Sequence, residues 1–334
     1  MTAPVSLAEM RGPLLRSVSR SFYLSIRLLP AKVRDPVALA YLLARATDTI
    51  ADTTEVEANV RVRELANLAA MIQEDRPAGS IGGFASLQKN PAERALIESV
   101  PHCLQWLAAI GKGDRANIRG VLASINEGQA LDVERFGDPA QIMALQRAAD
   151  LDRYTYLVAG SVGEFWTDVC FRHLRDFTAT ARTEMVSSGV AYGKGLQLVN
   201  VLRDLGADLR AGRCYLPAEE LHSLGLTPQD LKREPSRALP LVQAWRVRAE
   251  QGIAAGIAYS CAVRSWRARL ATALPALIGA RTLALLREAG PSIFTTKVKV
   301  SRAEIRQIVL HATLTLASPS SLQKAFRTLS SQPG

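Results

Sequence analysis

Residues 37–52 read VALAYLLARATDTIAD, an apolar run in which Tyr41, Arg45, Asp48 and Asp52 stand at i, i+4, i+7 and i+11. That spacing draws one continuous stripe along an α-helix. Val37, Leu39, Ala40, Leu42, Leu43, Ala44, Ala46, Ile50 and Ala51 make the rest of the helix apolar, which is the pattern of a buried helix. Charges on such a helix are costly unless they are paired or hold a metal. The stripe therefore belongs on the wall of an internal cavity, with the carboxylates of Asp48 and Asp52 one turn apart.

A second stretch repeats the device. Gln197, Asn200, Asp204 and Asp208 fall at i, i+3, i+7 and i+11, among Leu196, Leu198, Val199, Val201 and Leu202. Two hard oxygen ligands a turn apart suit Mg²⁺ that is also held by substrate phosphates. Spacing alone is weak evidence: with 14 Asp in the chain, chance supplies about 0.6 such pairs, and an isolated pair reads as a solvated face. Two similar polar stripes on apolar helices suggest one shared cavity.

The rest of the chain agrees with a helical architecture. It has 334 residues, 48% hydrophobic and 22% charged, with 6% aromatic residues and a mean hydropathy of +0.05. This excludes collagen-like, mucin-like and wholly disordered classes, and a core of Ala, Leu and Val favours helices. Asp35-Pro36, Asn90-Pro91 and Thr227-Pro228 read as helix starts, and Ser301 with Glu304 as a capping box. Only Thr295 to Val300 alternates like a strand. With no linker and no repeat, the expectation is a single all-α domain over 1–334, its core at about 14–316 and a tail at 317–334.

Four cysteines, Cys103, Cys170, Cys214 and Cys261, are far apart and form no CxxC, which fits a reducing compartment. No secretory signal is read in the first 20 residues. The apolar stretches Gly252 to Val263 and Leu270 to Ala280 are shorter than the roughly 18 residues of a membrane span. The net charge of +10 welcomes anions, but the arginines are dispersed, so nucleic acid is not expected as a partner. His102, His173, His222 and His311 have no metal or triad spacing and read as structural. Gly193-Lys194-Gly195 lacks the spacing of a phosphate-binding P-loop.

With these motifs in hand, the sequence resembles the squalene and phytoene synthase family of head-to-head prenyl transferases. The matching segments are Ser19-Arg20-Ser21-Phe22, Tyr41 to Asp52, Gly128-Gln129 with Asp132, Tyr154 to Gly163 (YTYLVAGSVG) and Gly193 to Pro217 (GKGLQLVNVLRDLGADLRAGRCYLP). Lys297 to Arg302 (KVKVSR), after Ala276 to Glu288, looks more like bacterial squalene synthases than phytoene synthases. Two departures stand out: Ala51-Asp52 where relatives often carry Glu-Asp, and Leu157 at the second tyrosine position of YxxYVAG, with Tyr156 shifted by one.

The resemblance implies a helical isoprenoid-synthase (terpenoid synthase) fold with a central active-site cavity, in which the two aspartate pairs hold Mg²⁺ on farnesyl diphosphate. It makes Asp48, Asp52, Asp204 and Asp208 metal ligands, with Asn200 and Gln197 beside them. It gives Ser19, Arg20, Ser21, Tyr41, Arg45 and Arg213 to diphosphate oxygens, and Tyr154 to proton removal or carbocation steering. Each has a plainer reading: Ser19 and Ser21 as helix caps, Arg213 as a helix-dipole partner, Tyr154 as a core tyrosine. Lys297 and Lys299 would hold NADPH, an assignment that rests on the resemblance alone; a solvated basic face is as good a reading.

The implied reaction joins two farnesyl diphosphates into presqualene diphosphate, which ionises again, rearranges and takes hydride from NADPH to give squalene, a sterol, hopanoid or carotenoid precursor. The alternatives are a synthase that stops at dehydrosqualene, phytoene or hydroxysqualene, and a non-catalytic family member that binds lipid or a partner protein. A C30 hydrocarbon cannot leave through water, so peripheral membrane contact is expected of a cytoplasmic protein, at the inner face of the membrane. Oligomeric state has no signature in the residue pattern.

Overall fold

The structure is a computed structural model and describes residues 6–19, 22–74, 82–136, 141–315 and 318–331. It is helical almost throughout, as expected. The exception among the described residues is a pair of two-residue strands, Met143–Ala144 and Arg213–Cys214, in parallel register. Residues 295–300 are irregular instead. Their alternation places Lys297 and Lys299, not apolar groups, on one side, and among the described residues they pair with no strand.

Although no linker is visible in the sequence, the chain forms two compact units: Met1–Gly137 with Asp168–Arg175, and Asp138–Thr167 with Asp176–Gly334. The chain passes from the second back to the first between Thr167 and Asp168, inside the helix Ser161–His173. A crossing inside a helix leaves no loop composition to mark it.

In the first unit the helix Ala31–Ala51 packs against Lys112–Phe136, which also packs against Ala58–Glu74. Leu39, Leu42, Leu43, Ala46 and Ile50 are fully buried, and each of the larger ones contributes roughly 1.5–3 kcal/mol of burial. The helix begins at Ala31 rather than at Pro36, which lies inside it. Lys32, Val33 and Arg34 continue the helix upstream, and Asp35 is ion-paired with Arg11 instead of capping. Asn90 does cap: its side chain accepts from the Ala92 amide at 3.0 Å, with Pro91 as the first helical residue.

In the second unit the long helix Arg182–Arg210 packs along Leu239–Ala262, which packs against Trp266–Ala289. Glycines set the spacing of the first contact. A Cβ at Gly195 would lie 2.7 Å from backbone atoms of Gly252, so the two helices touch backbone to backbone. The capping box is present, with Ser301 N donating to Glu304 at 3.0 Å and Glu304 N donating to Ser301 Oγ at 3.1 Å. It opens the helix Arg302–Thr315. Beyond it the expected tail folds as a further helix, Pro319–Ser331, which buries Leu322 and Ala325 against the bundle. Among the described residues one helical stretch, Trp266–Phe294, is long and apolar enough to cross a membrane, but 72% of its most apolar window is buried inside the protein.

Candidate active site

In the first unit the helix Ala31–Ala51 carries the predicted stripe and two neighbouring helices complete it. Arg45 donates to Asp48 Oδ2 and, at 2.5 Å, to Glu93 Oε1 on the helix Pro91–Glu98. Asp48 Oδ1 accepts from Gln129 Nε2 at 2.9 Å, Gln129 being on the helix Lys112–Phe136. Burial pushes the Asp48 carboxyl above the ordinary range, against the charge of Arg45 and its hydrogen bond. Asp52 is exposed at the end of the helix, its amide closing on the Asp48 carbonyl at 2.9 Å. Tyr41 donates to the Val18 carbonyl at 3.3 Å, and buried Ser19 is bonded back to Leu15. Arg20 and Ser21 lie outside the described residues.

In the second unit the helix Arg182–Arg210 carries the other pair. Arg203 pairs with Asp204, its Nε 3.1 Å from Oδ2. Lys297 Nζ stands 3.0 Å from Asp204 Oδ1. Oδ1 is buried, and the lysine ammonium is the cation set against it. Burial raises the Asp204 carboxyl, but hydrogen bonds and charge from Arg203 and Lys297 outweigh it and hold the group below the usual range. Asp208 is buried, with Arg213 Nη2 3.0 Å from its Oδ1. Burial and the charge of Asp204 lift its carboxyl above the usual range despite Arg213. Arg213 thus serves the carboxylate rather than a helix dipole. Asn200 Nδ2 donates to Gln197 Oε1 at 3.2 Å, one turn before the pair, while Lys299 is exposed.

Tyr154 sits one residue before the end of the helix Ala148–Thr155, which runs into a π-helical turn at Tyr156–Gly160. Its ring stacks on Tyr215 with centroids 5.0 Å apart, and the two hydroxyls are 3.5 Å apart. The shifted Tyr156 is exposed and donates to Glu164 at 3.3 Å. Leu157 is buried.

The donor chemistry fits a divalent cation bound with a phosphate. Among the described residues no group of three His, Cys, Asp or Glu side chains forms a cage for a metal. Paired carboxylates leave coordination positions to phosphate and water, as Mg²⁺ prefers. In the first set Arg45 is shared between the carboxylates of Asp48 and Glu93. In the second, the buried Oδ1 of Asp204 is the oxygen a metal would take.

Sequence reasoning missed Gln129 and Glu93 as partners of Asp48 and Arg45, Arg203 and Lys297 as partners of Asp204, and Tyr215 as the partner of Tyr154. Arg203 was the most accessible, since it directly precedes Asp204 in the chain. Glu93 had no signal, because it lies 48 residues from Arg45.

The squalene/phytoene synthase family model matches residues 15–304. The chain is 27% identical over 231 residues to the bifunctional lycopene cyclase/phytoene synthase of Colletotrichum graminicola, covering 66% of this chain and 36% of that one. It is 22% identical over 303 residues to the squalene synthase of Schizosaccharomyces pombe, covering 90% of this chain and 64% of that one. The chain thus spans between about a third and two-thirds of the length of these relatives. The structure of TcSQS with the ligand E5700 superposes with a TM-score of 0.78 at 22% identity, over 96% of this chain and 89% of the other, a likeness of fold. A match running through both aspartate pairs and the Tyr154 segment shows that this chain belongs to the squalene/phytoene synthase family.

Proposed function

We propose that this enzyme condenses two molecules of farnesyl diphosphate head to head and reduces the resulting presqualene diphosphate to squalene, with Mg²⁺ and NADPH. The observation that carries the reading is the Asp204 cluster. A carboxylate held ionised, with one oxygen buried and left to a lysine ammonium, suits a site that trades one cation for another as substrate arrives.

A diphosphate departs from an allylic carbon only if the charge developing on its oxygens is neutralised. Mg²⁺, held by Asp48 and Asp52 and by Asp204 and Asp208, would supply that neutralisation as a Lewis acid. The chain's own residues do the rest. Arg45 and Arg213, already oriented by carboxylates, present further N–H donors to phosphate oxygen, and planar guanidinium groups suit that recognition. Tyr41 adds a hydroxyl. Tyr154, stacked on Tyr215, presents a fixed phenol that can accept a proton or face a carbocation with its π-electrons. The small residues Ala159 and Gly163 let the segment that follows Tyr154 pack backbone to backbone on the helix Arg182–Arg210, since a Cβ at Gly163 would lie 2.0 Å from the Gly189 carbonyl oxygen and one at Gly193 2.1 Å from that of Ala159.

Reduction is favoured by the basic segment around Lys297 and Lys299, whose lysines would hold NADPH phosphates while the nicotinamide supplies hydride. The similarity to the fission yeast squalene synthase over 90% of the chain also supports it. The second reading is a synthase that stops before reduction, at phytoene, dehydrosqualene or hydroxysqualene, and the likeness to phytoene synthases speaks for it.

The test is incubation of the purified chain with farnesyl diphosphate and Mg²⁺, with and without NADPH, and mass spectrometry of the organic extract. Squalene formed only with NADPH is expected. The same unreduced product in both tubes replaces this reading with the second. Asp48→Asn and Asp204→Asn should each abolish turnover while leaving the helical circular dichroism spectrum intact, and full activity in either would remove the metal assignment.

A further inference from the structure

The two most exposed large apolar side chains of the described residues lie outside the site. Leu310 and Leu314 are 63% and 74% exposed, one turn apart on the helix Arg302–Thr315. On the same stripe, at the preceding turns, stand exposed Arg302 and Arg306, so the row reads Arg, Arg, Leu, Leu at i, i+4, i+8 and i+12. The opposite side of the helix, through Ile308 and Ala312, is buried in the second unit. Nothing in the reaction uses the outer face.

Its charge is one-sided. From Lys299 to Ser331 the basic residues are Lys299, Arg302, Arg306, Lys324 and Arg327, and the sole carboxylate, Glu304, is already paired with buried Arg281 at 3.0 Å. A groove of about 570 Å³ lies between this helix and Pro319–Ser331, with Leu277, Ile308 and Leu329 among its apolar residues and Lys324 in its lining. Leucines exposed to this degree cost solvation in water, and arginine stems beside them can cover apolar surface while their heads reach outward.

We propose that this outer face of the Arg302–Thr315 helix is a docking surface for an anionic lipid bilayer, with Leu310 and Leu314 entering the interface and Arg302 and Arg306 meeting lipid phosphates. The occupant follows from charge complementarity: an apolar ridge flanked by unopposed cations matches an acidic, greasy surface, and a helix lying in the interface plane binds through these two contributions. The inference stands on this surface alone and holds whichever product the enzyme makes.

The experiment is co-sedimentation of the full chain with vesicles of equimolar phosphatidylcholine and phosphatidylglycerol, and with pure phosphatidylcholine, at low and high salt. Binding to the anionic vesicles that weakens with salt is expected, with little binding to the neutral ones. Leu310→Ser/Leu314→Ser and Arg302→Glu/Arg306→Glu should each weaken it about ten-fold or more. Val247→Ser, at another exposed apolar side chain, should leave it unchanged. Circular dichroism and Tm matching the parent keep a lost fold from passing as lost binding, and the two double variants alter different chemistry. The proposal is overturned if the parent ignores anionic vesicles, binds neutral ones as well, or binds undiminished after the leucine change. It is equally overturned if the chain self-associates through Leu310 and Leu314 and leaves vesicles alone, since a second copy would then be the occupant.

Discussion

Lys297 Nζ lies 3.0 Å from Asp204 Oδ1, on the side of the carboxylate away from Arg203. The two residues are 93 positions apart in a chain where the rest of the Asp204 and Asp208 cluster comes from one helix and the strand that follows it. The irregular segment 295–300 thus brings a flexible monovalent cation to an oxygen whose hydrogen-bonding capacity is otherwise unfilled.

From this contact, Lys297→Ala should tighten divalent-cation binding. The lysine is more than half exposed, and an ion pair of that kind is worth about 0.2–1 kcal/mol, so the gain is about three-fold. Titration with Mn²⁺ followed by electron paramagnetic resonance measures it without turnover. Weaker binding in the variant would mean that Lys297 assists the metal instead of competing with it.

The helix–helix contact in the second unit makes a stability prediction. At Gly252 an added Cβ would come 2.5 Å from the Gly195 Cα. Backbone cannot yield there as a side-chain tip can, so Gly252→Ala should destabilise by about 1–3 kcal/mol, despite alanine's better helix propensity. Gly83→Ala, with nothing within 4 Å of its new methyl, is the control. Urea denaturation of both variants reads the difference, and equal midpoints would show that the two helices are farther apart.

These contacts show what is legible in sequence. The stripes at 41–52 and 197–208 were legible because helical periodicity converts spacing directly into a shared face. The capping box at Ser301 and Glu304 and the cap at Asn90 were legible because caps are local. Pairings between distant residues were not: nothing in the composition near Glu93 or Gln129 points to Asp48, and Lys297 read as an NADPH ligand or part of a solvated basic face, not as a partner of Asp204. The helix at Pro319–Ser331 escaped because its apolar positions are few, Leu322, Ala325, Phe326 and Leu329, with serine and threonine between them.

Cysteine chemistry separates by burial. Cys103 and Cys214 are buried, which pushes their thiols up to about 12. Buried Cys170 is raised further, while Cys261 is only partly buried. Since the thiolate is the reactive species, an aromatic disulfide reagent at mildly alkaline pH should modify Cys261 first in the folded protein. The other three should react on unfolding. Peptide mass mapping after a short exposure identifies the site, and early labelling of Cys103 or Cys170 would reveal an opening of its unit.

The capping box carries a pH dependence with a definite sign. Glu304 accepts from the Ser301 amide and from Arg281. The Ser301 amide foremost, then the Ser301 hydroxyl and Arg281, hold its carboxyl below the usual glutamate range despite some burial. Because the folded-state value is depressed, the stabilisation is complete above the unfolded-state value and is lost as pH falls through the folded one. Glu304→Gln should therefore lower stability at neutral pH and converge with the parent in acid, below the ordinary glutamate range. Thermal melts of both proteins across that range test it. A gap that persists unchanged into acid would mean that the side chain contributes by packing over Arg281 and not by its charge.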